Sequence, residues 1–338
     1  MKRLELNIRK LTENITDKNS FGICKINRKK YFYKTFHHSE DYQNEIDCYD
    51  VIDGKIKAPR RFFLLENEKT IIYELIKNIN RKNLHHYLYT SLKKPNIRFL
   101  DYMQVLPIKR EEHLCKNTKF FRQRVAIIDS YLKGIDLLNR KIFVGGNEFD
   151  LRKILKETKQ KIIEEKLLTT ILSQGDPIDL NLLNDGTVVD FETAGENSLI
   201  GEIAIFINNI LINGYYFFIK YAKSDYKNYL KDYKKNKKNL KCRYEMSSDI
   251  VNINFEVFVP KKNRFLINDY IDYFQSRLSV DEKREIDNYL KYYLIFRFIS
   301  PKNWFEFSEE DLISTFALIC ITYKNISSID DVKNFINK

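Results

Sequence analysis

The sequence predicts an α+β protein in two lobes: a small antiparallel-sheet N-lobe over residues 1–77 and a mostly helical C-lobe over residues 78–338. Three observations predict it. Up to Lys77 the apolar residues come in short β-rich runs separated by polar turns, whereas beyond Asn78 they recur at helical spacing. No Gly/Ser linker separates the two parts, and a content of 43% apolar residues in 338 suffices for a sizeable shared core.

In chain order, residues 21–36 read F-G-I-C-K-I-N-R-K-K-Y-F-Y-K-T-F, two β-rich runs around the polar turn Asn27-Arg28-Lys29-Lys30, hence a hairpin. Its first run holds Gly22, which permits close backbone approach, and its second holds Lys34 inside an apolar strand. Ser39, followed by Glu40 and Asp41, reads as the N-cap of a helix whose apolar stripe is Ile46, Tyr49 and Ile52 or Val51. Residues 60–65 and 70–76 flank the turn Asn67-Glu68-Lys69 and predict two further strands. Helices are expected over 83–92 and 120–138, with a loop around Pro95 and Pro107 between them. One long amphipathic helix is expected over 151–172, with Leu151, Ile154, Leu155, Ile162 and Leu168 near one side, ending just before Gln174. Helices resume at 268–278, at 281–298 and from Ser308, which would cap a first turn holding Glu309, Glu310 and Asp311.

The stretch from Ser173 to Gly195, S-Q-G-D-P-I-D-L-N-L-L-N-D-G-T-V-V-D-F-E-T-A-G, carries the chemistry. Asn184-Asp185-Gly186 between β-formers is a hairpin signal, and it would bring Asn181 and Asp190 back towards each other with Asp176 nearby. Phosphoryl transfer needs a carboxylate to orient and deprotonate an acceptor hydroxyl. It also needs hard oxygen ligands to hold Mg²⁺ against nucleotide phosphates. Asp176 suits the first task; Asn181 and Asp190 suit the second.

The pattern D-x-x-x-x-N, an apolar hairpin and D-F resembles the core of the protein-kinase-like phosphotransferases, and within them the aminoglycoside phosphotransferase and choline kinase group. Gly175-Asp176 and Asp190-Phe191-Glu192-Thr193-Ala194-Gly195 follow that group's H-G-D-x-x-x-x-N and I-D-F-E-x-A-G segments; Asp179 matches an aspartate that antibiotic kinases often carry there. Gly201-Glu202-Ile203-Ala204 resembles its D-L-A segment, with Glu202 in the aspartate's place. Gln174 departs from the usual histidine, whose bracing hydrogen bonds an amide can also make. The resemblance implies a protein-kinase-like two-lobed fold. It further implies ATP or GTP and Mg²⁺ as cofactors, a small-molecule hydroxyl acceptor, and Asp176 as catalytic base with Asn181 and Asp190 on the metal. It implies that Gly22 lies near the phosphates, that Lys34 contacts them and that Glu45 holds Lys34 (Glu40 being the other candidate). The backbone of Glu74, Leu75 and Ile76 would then meet the nucleobase. Two alternatives stay open: a kinase-like nucleotide-binding module without catalysis, and a kinase whose acceptor is a protein or a polysaccharide.

Composition narrows the rest. The net charge of +12 favours anionic ligands in general, and its Lys-, Asn- and Ile-rich background weakens any inference to nucleic acid. A Lys/Tyr-rich run at 223–243 is the one nucleic-acid candidate and reads first as a solvated face. Five widely spaced cysteines without a C-x-x-C pair indicate neither zinc nor disulfides, and with no signal-peptide pattern at the start they point to the cytoplasm. The apolar stretch 203–219 is broken by Asn208, Asn209, Asn213 and Gly214 and is expected to be a buried helix, not a membrane span. Adjacent histidines at 37–38 and 85–86 point in different directions and predict no metal site.

Overall fold

In the computed structural model of the chain, described over residues 8–16, 18–77, 79, 83–89, 104–111, 121, 123–164, 167–213, 240–300 and 303–337, the N-terminal part is one antiparallel sheet with a helix laid against it. Strands β1 (Arg9–Lys10) and β2 (Asn14–Ile15) both pair with β3 (Asn19–Ile26), which pairs with β4 (Lys29–Phe36). The turn between β3 and β4 is tighter than the sequence suggests: only Asn27 and Arg28, both at positive φ, lie outside the strands. Helix α1 (Ser39–Ile52) follows, then β5 (Arg61–Leu65) and β6 (Thr70–Glu74), which completes the order β1-β3-β4-β6-β5. Ser39 is the first helical residue and not the cap; His38 holds that place without a side-chain bond.

The second part is mostly helical but contains two small sheets that the periodicity did not announce. After α2 (Leu84–Tyr89) comes β7 (Gln104–Glu111), in the region expected to be loop. It contains Pro107, tolerated because β7 is the edge of the three-stranded order β11-β10-β7. Helix α3 (Ile127–Gly134) and a short 3-10 turn (Asp136–Asn139) precede β8 (Lys141–Val144) and β9 (Asn147–Phe149). Helix α4 (Leu151–Glu164) is about two-thirds as long as expected, because residues 167–173 form strand β10 (Leu167–Ser173). Leu-Leu-Thr-Thr-Ile-Leu continues an apolar helical stripe, but its β-branched Thr169, Thr170 and Ile171 are all buried between β7 and β11 (Gly195–Ser198).

Helix α5 (Leu199–Asn208), capped by Ser198, and the π-helical turn Asn209–Asn213 run through the interior; residues 199–211 are all buried. This is the buried helix expected at 203–219, as far as its described residues extend. Strands β12 (Leu240–Met246) and β13 (Ile250–Val257) join β8 and β9 in a sheet ordered β12-β13-β8-β9, in which β13 and β8 run parallel. Helices α6 (Lys261–Gln275), α7 (Val280–Ile299), α8 (Glu309–Asn325) and α9 (Ile329–Asn337) close the chain. Helix α7 packs on α4, α5 and α8, and its buried Glu285 accepts bonds from the Thr169 N–H (2.7 Å) and hydroxyl (3.0 Å), which ties α7 to β10. The lysine-rich residues 223–239 and Cys115 lie outside the described residues; 240–243 belong to β12. No helix among the described residues is long and apolar enough to cross a membrane.

Candidate active site

Strand β10 ends at Ser173, and the chain then turns sharply into the loop bearing Asp176. The turn needs Gly175: its φ is +87°, and a Cβ there would lie 2.1 Å from the Thr193 carbonyl oxygen. Gly175→Ala is therefore expected to cost more than the usual ~1 kcal/mol of a glycine-to-alanine change at positive φ, because backbone must also move. Chemical denaturation would show it as a lower midpoint, and an unchanged midpoint would contradict this account of the turn.

Past the loop, Asn184, Asp185 and Gly186 (φ +79°) reverse the chain. The Leu183 N–H donates to the Thr187 carbonyl (2.9 Å) and the Val189 N–H to the Asn181 carbonyl (3.0 Å), so residues 181–189 form a tight hairpin. The Val188 N–H bonds the Lys57 carbonyl (2.9 Å), which ties the hairpin to the segment after α1. The loop is held beneath by Leu84 and His85, whose N–H groups bond the Leu182 and Asp179 carbonyls. Asp179 is fully buried beside the His85 ring at 3.2 Å, and its N–H bonds the Asn209 side chain.

Gln174 does bridging work at the departure from the family pattern. Its amide oxygen accepts from the Asp176 N–H (2.8 Å), and its Nε2 donates to the carbonyls of Val189 (3.3 Å) and Asp190. One side chain thus fixes the two acid-bearing segments to each other. Asn181 Nδ2 donates to the Asp176 carbonyl (3.1 Å) and lies 3.5 Å from its carboxylate, so the amide oxygen is not used in these contacts. Burial pushes the Asp176 carboxyl up to about 6, opposed by Arg297 and reinforced by Asp190 and Glu192.

Lys34 joins the sheet to this loop. Its Nζ lies 2.7 Å from Asp190 Oδ1 and 3.0 Å from Glu45 Oε2, and the Tyr73 hydroxyl completes Glu45 at 3.2 Å. Burial alone would lower the Lys34 pKa; Asp190 and Glu45 outweigh it and hold the ammonium above the ordinary lysine range. Partial burial would raise the Asp190 carboxyl, but Lys34 keeps it below the ordinary carboxylate range. The Asp190 side chain is nevertheless 45% exposed, with a face turned to solvent, and its φ is +66°. Phe191 packs edge-on against Tyr49 (5.2 Å) and beside Tyr73 (5.7 Å), while the Glu192 carbonyl accepts from Asn44 (2.8 Å). Helix α1, strand β6 and the Asp190 segment are thereby packed as one piece.

Of the residues singled out in the sequence, the structure brings Lys34, Glu45, Asp176, Asn181 and Asp190 together; Glu40 is exposed and takes no part. Gly22 lies in β3, outside this cluster. It pairs with Tyr33, on the sheet face opposite Lys34, whose cross-strand neighbour is Phe21. The close approach it permits is made by the chain itself: a Cβ at Gly22 would stand 2.0 Å from the Thr12 carbonyl oxygen. Glu74, with an exposed side chain, pairs with Tyr31, three positions along β6 from the Ile71 that pairs with Lys34. Leu75 and Ile76 follow it, half-buried, outside the strand. Three of the four acids at 306–311 serve local structure: Asp311 bonds Ser308, Glu309 accepts from Tyr244, and Glu306 accepts from Asn303. Among the described residues no cluster of His, Cys, Asp and Glu could hold a metal by itself.

One residue, Arg297, has no counterpart in the sequence reading, and a second, Glu202, was singled out there without a structural role. Arg297, near the end of α7, is 6% exposed and acts electrostatically on Asp176; nothing in its spacing links it to residue 176. Glu202, in the first turn of α5, is fully buried and accepts the Ser173 hydroxyl, and burial pushes it up to about 8. Between the ordinary glutamate range and about 8 the folded chain holds a proton that the unfolded chain has lost. That contribution to stability is whole at low pH and falls as pH rises, by up to ~1.4 kcal/mol per unit. Glu202→Gln should flatten the fall of melting temperature between about pH 5 and pH 8; an unchanged slope would assign the effect elsewhere.

No protein-family model matches the chain, and no curated protein does. Among solved structures it is similar to an ethanolamine kinase from Plasmodium vivax: 14% identity, TM-score 0.46, 94% of this chain and 82% of that one. It is similar to a choline/ethanolamine kinase family protein from Mesorhizobium loti (10%, TM-score 0.42, 96% and 92%). A spectinomycin phosphotransferase in complex with ADP and spectinomycin is a third (13%, TM-score 0.38, 93% and 93%). These likenesses are of general outline, and the chemistry has to be read from the residues described above.

Proposed function

We propose that the chain is an ATP-dependent phosphotransferase that delivers the γ-phosphate to a hydroxyl of a small molecule. The single observation that carries this reading is the convergence of Lys34, bridging Glu45 and Asp190, with Asp176 and Asn181 beside the central strand β4.

The residues fit Mg²⁺. Asp190 has a solvent-facing carboxylate and Asn181 has an amide oxygen not committed to its own loop, and Mg²⁺ takes few protein oxygens when phosphates and water supply the rest. When bound there, Mg²⁺ would offset charge on the β- and γ-phosphates. Lys34 would turn its ammonium towards those phosphates while Glu45 keeps it in place. The backbone after β6, at Glu74, Leu75 and Ile76, would meet the nucleobase, about 10 Å along the strand from Lys34's partner Ile71. Asp176 accepts the hydroxyl proton as that oxygen attacks the γ-phosphorus; the bond from phosphorus to the bridging oxygen of ADP breaks, and ADP leaves. A carboxyl raised to about 6 is ionised at neutral pH yet a better base than an ordinary aspartate.

The test is transfer of label from γ-labelled ATP and GTP to a panel holding aminoglycosides, choline, sugars and nucleosides. Mg²⁺-dependent labelling of at least one compound is expected. Hydrolysis and transfer both at background, with nucleotide binding intact, would favour the nucleotide-binding module instead.

A further inference from the structure

Helix α7 passes beneath the catalytic loop and presents Arg297 from a run of apolar residues, Tyr292 to Ile299, all buried. A guanidinium is seldom buried without a carboxylate or carbonyl to hold it. Among the described residues Arg297 has no such partner: its Nε is buried without a hydrogen bond, and no ion pair within 4 Å joins it to a described acid. Arg124 stands near it, donating to the carbonyl of Ser300 (3.1 Å) at the C-cap of α7, and the two cations repel. Of the charges acting on Asp176, Arg297 has the largest influence. Those acting on Asp190 are Lys34, in β4, and Lys18, just before β3. Positive charge therefore enters the site from two sides: from the sheet, where the nucleotide phosphates would lie, and from α7, on the Asp176 side where the acceptor hydroxyl would lie.

We infer that the acceptor is a small alcohol carrying its own anionic group, a phosphate or a carboxylate, which Arg297 receives beside the hydroxyl that Asp176 orients. The inference rests on the phosphotransferase reading and deepens it. An anion there would fill the hydrogen-bonding capacity that the fold leaves open on Arg297 and relieve its repulsion with Arg124. A choline-like cation would meet Arg297 as a like charge, and its attraction would have to come from Asp176, Asp190 and Glu192, the first two already assigned to the hydroxyl and the metal. Of the acids at 306–311, which could otherwise attract a cationic acceptor, Asp311 bonds the N-cap Ser308, Glu309 accepts from Tyr244 and Glu306 from Asn303.

The experiment uses the full chain saturated with Mg·ADP, titrated calorimetrically with hydroxylated monophosphates (glycerol 3-phosphate, hexose monophosphates), hydroxy acids (glycerate), uncharged polyols and choline. At least one anion should bind, with the phosphate and carboxylate arms telling which group is read. Arg297→Met should weaken that anion by about tenfold or more, the order expected for a lost charged hydrogen bond, while Mg·ADP affinity stays within about twofold. Arg297→Lys, which keeps the charge, should retain part of the binding and shows whether the loss in the Met variant is one of charge or of folding. A panel in which no anion binds, in which only choline or neutral compounds bind, or in which the anion binds the Met variant equally well overturns the inference and leaves the phosphotransferase reading standing. Failure of Mg·ADP to bind the unaltered chain would remove that reading and the inference with it.

Discussion

Replacing Asp176 with Asn is expected to lower kcat for phosphoryl transfer by about two to four orders of magnitude, the usual contribution of a positioned general base. Mg·ATP affinity should stay within about threefold, since Asp176 is placed to meet the acceptor and not the nucleotide. The fold should survive. The Asp176 N–H bond to Gln174 and the carbonyl bond from Asn181 both involve the main chain, and an amide in place of a carboxylate lightens the desolvation of a buried group. The same residue sets an acid limb. With its carboxyl raised to about 6 by burial, activity should be full above that pH and fall as the pH drops through it. Steady-state kinetics across pH on the unaltered chain and the Asn variant would check both statements. Equal turnover in the variant would remove Asp176 from the role of base.

Asp190→Asn should act on binding instead of turnover alone. Removing one charged ligand is expected to weaken Mg²⁺-dependent ATP binding by about a hundredfold or more, the cost typical of truncating a charged contact. Asn is the informative replacement because the backbone here is at φ +66°, which Asn adopts more readily than Ala does. The sheet should not unravel, because Lys34 keeps Glu45 as its partner at 3.0 Å. Titration of ATP with Mg²⁺ and with a chelator would separate the two contributions. The unaltered chain should show a large difference between them and the variant a small one. An equal Mg²⁺ effect in both would take Asp190 off the metal.

How much of this could be read from the sequence depended on how local the signal was. The loop 173–195 is legible because its determinants are neighbours in the chain: an Asn-Asp-Gly turn, a glycine at the one sharp bend, and acids spaced by a short hairpin. The juxtaposition of Lys34 with Glu45 is legible for the same reason, a strand and the next helix eleven residues on. The strand Leu167–Ser173 was hidden because an apolar run of that length satisfies helix and strand patterns equally, and burial between two partner strands decided it. The parallel pairing of β8 with β13 was out of reach, since it joins Lys141 to Ile250, far apart in the chain. A glycine in a β-hairpin signals close approach without saying of what; at Gly22 the structure shows one such approach, by Thr12. Arg297 was invisible for a different reason. An arginine within an apolar helix looks like a surface residue until α7 is placed under the loop.

The central claim is that one cleft binds a nucleotide through a metal and through Lys34. Calorimetric titration of the unaltered chain with a non-hydrolysable ATP analogue, with and without Mg²⁺, tests it most directly. Saturable one-to-one binding that depends on Mg²⁺ and weakens markedly in Lys34→Met is the result expected. No binding, or binding indifferent to both Mg²⁺ and Lys34, would contradict it.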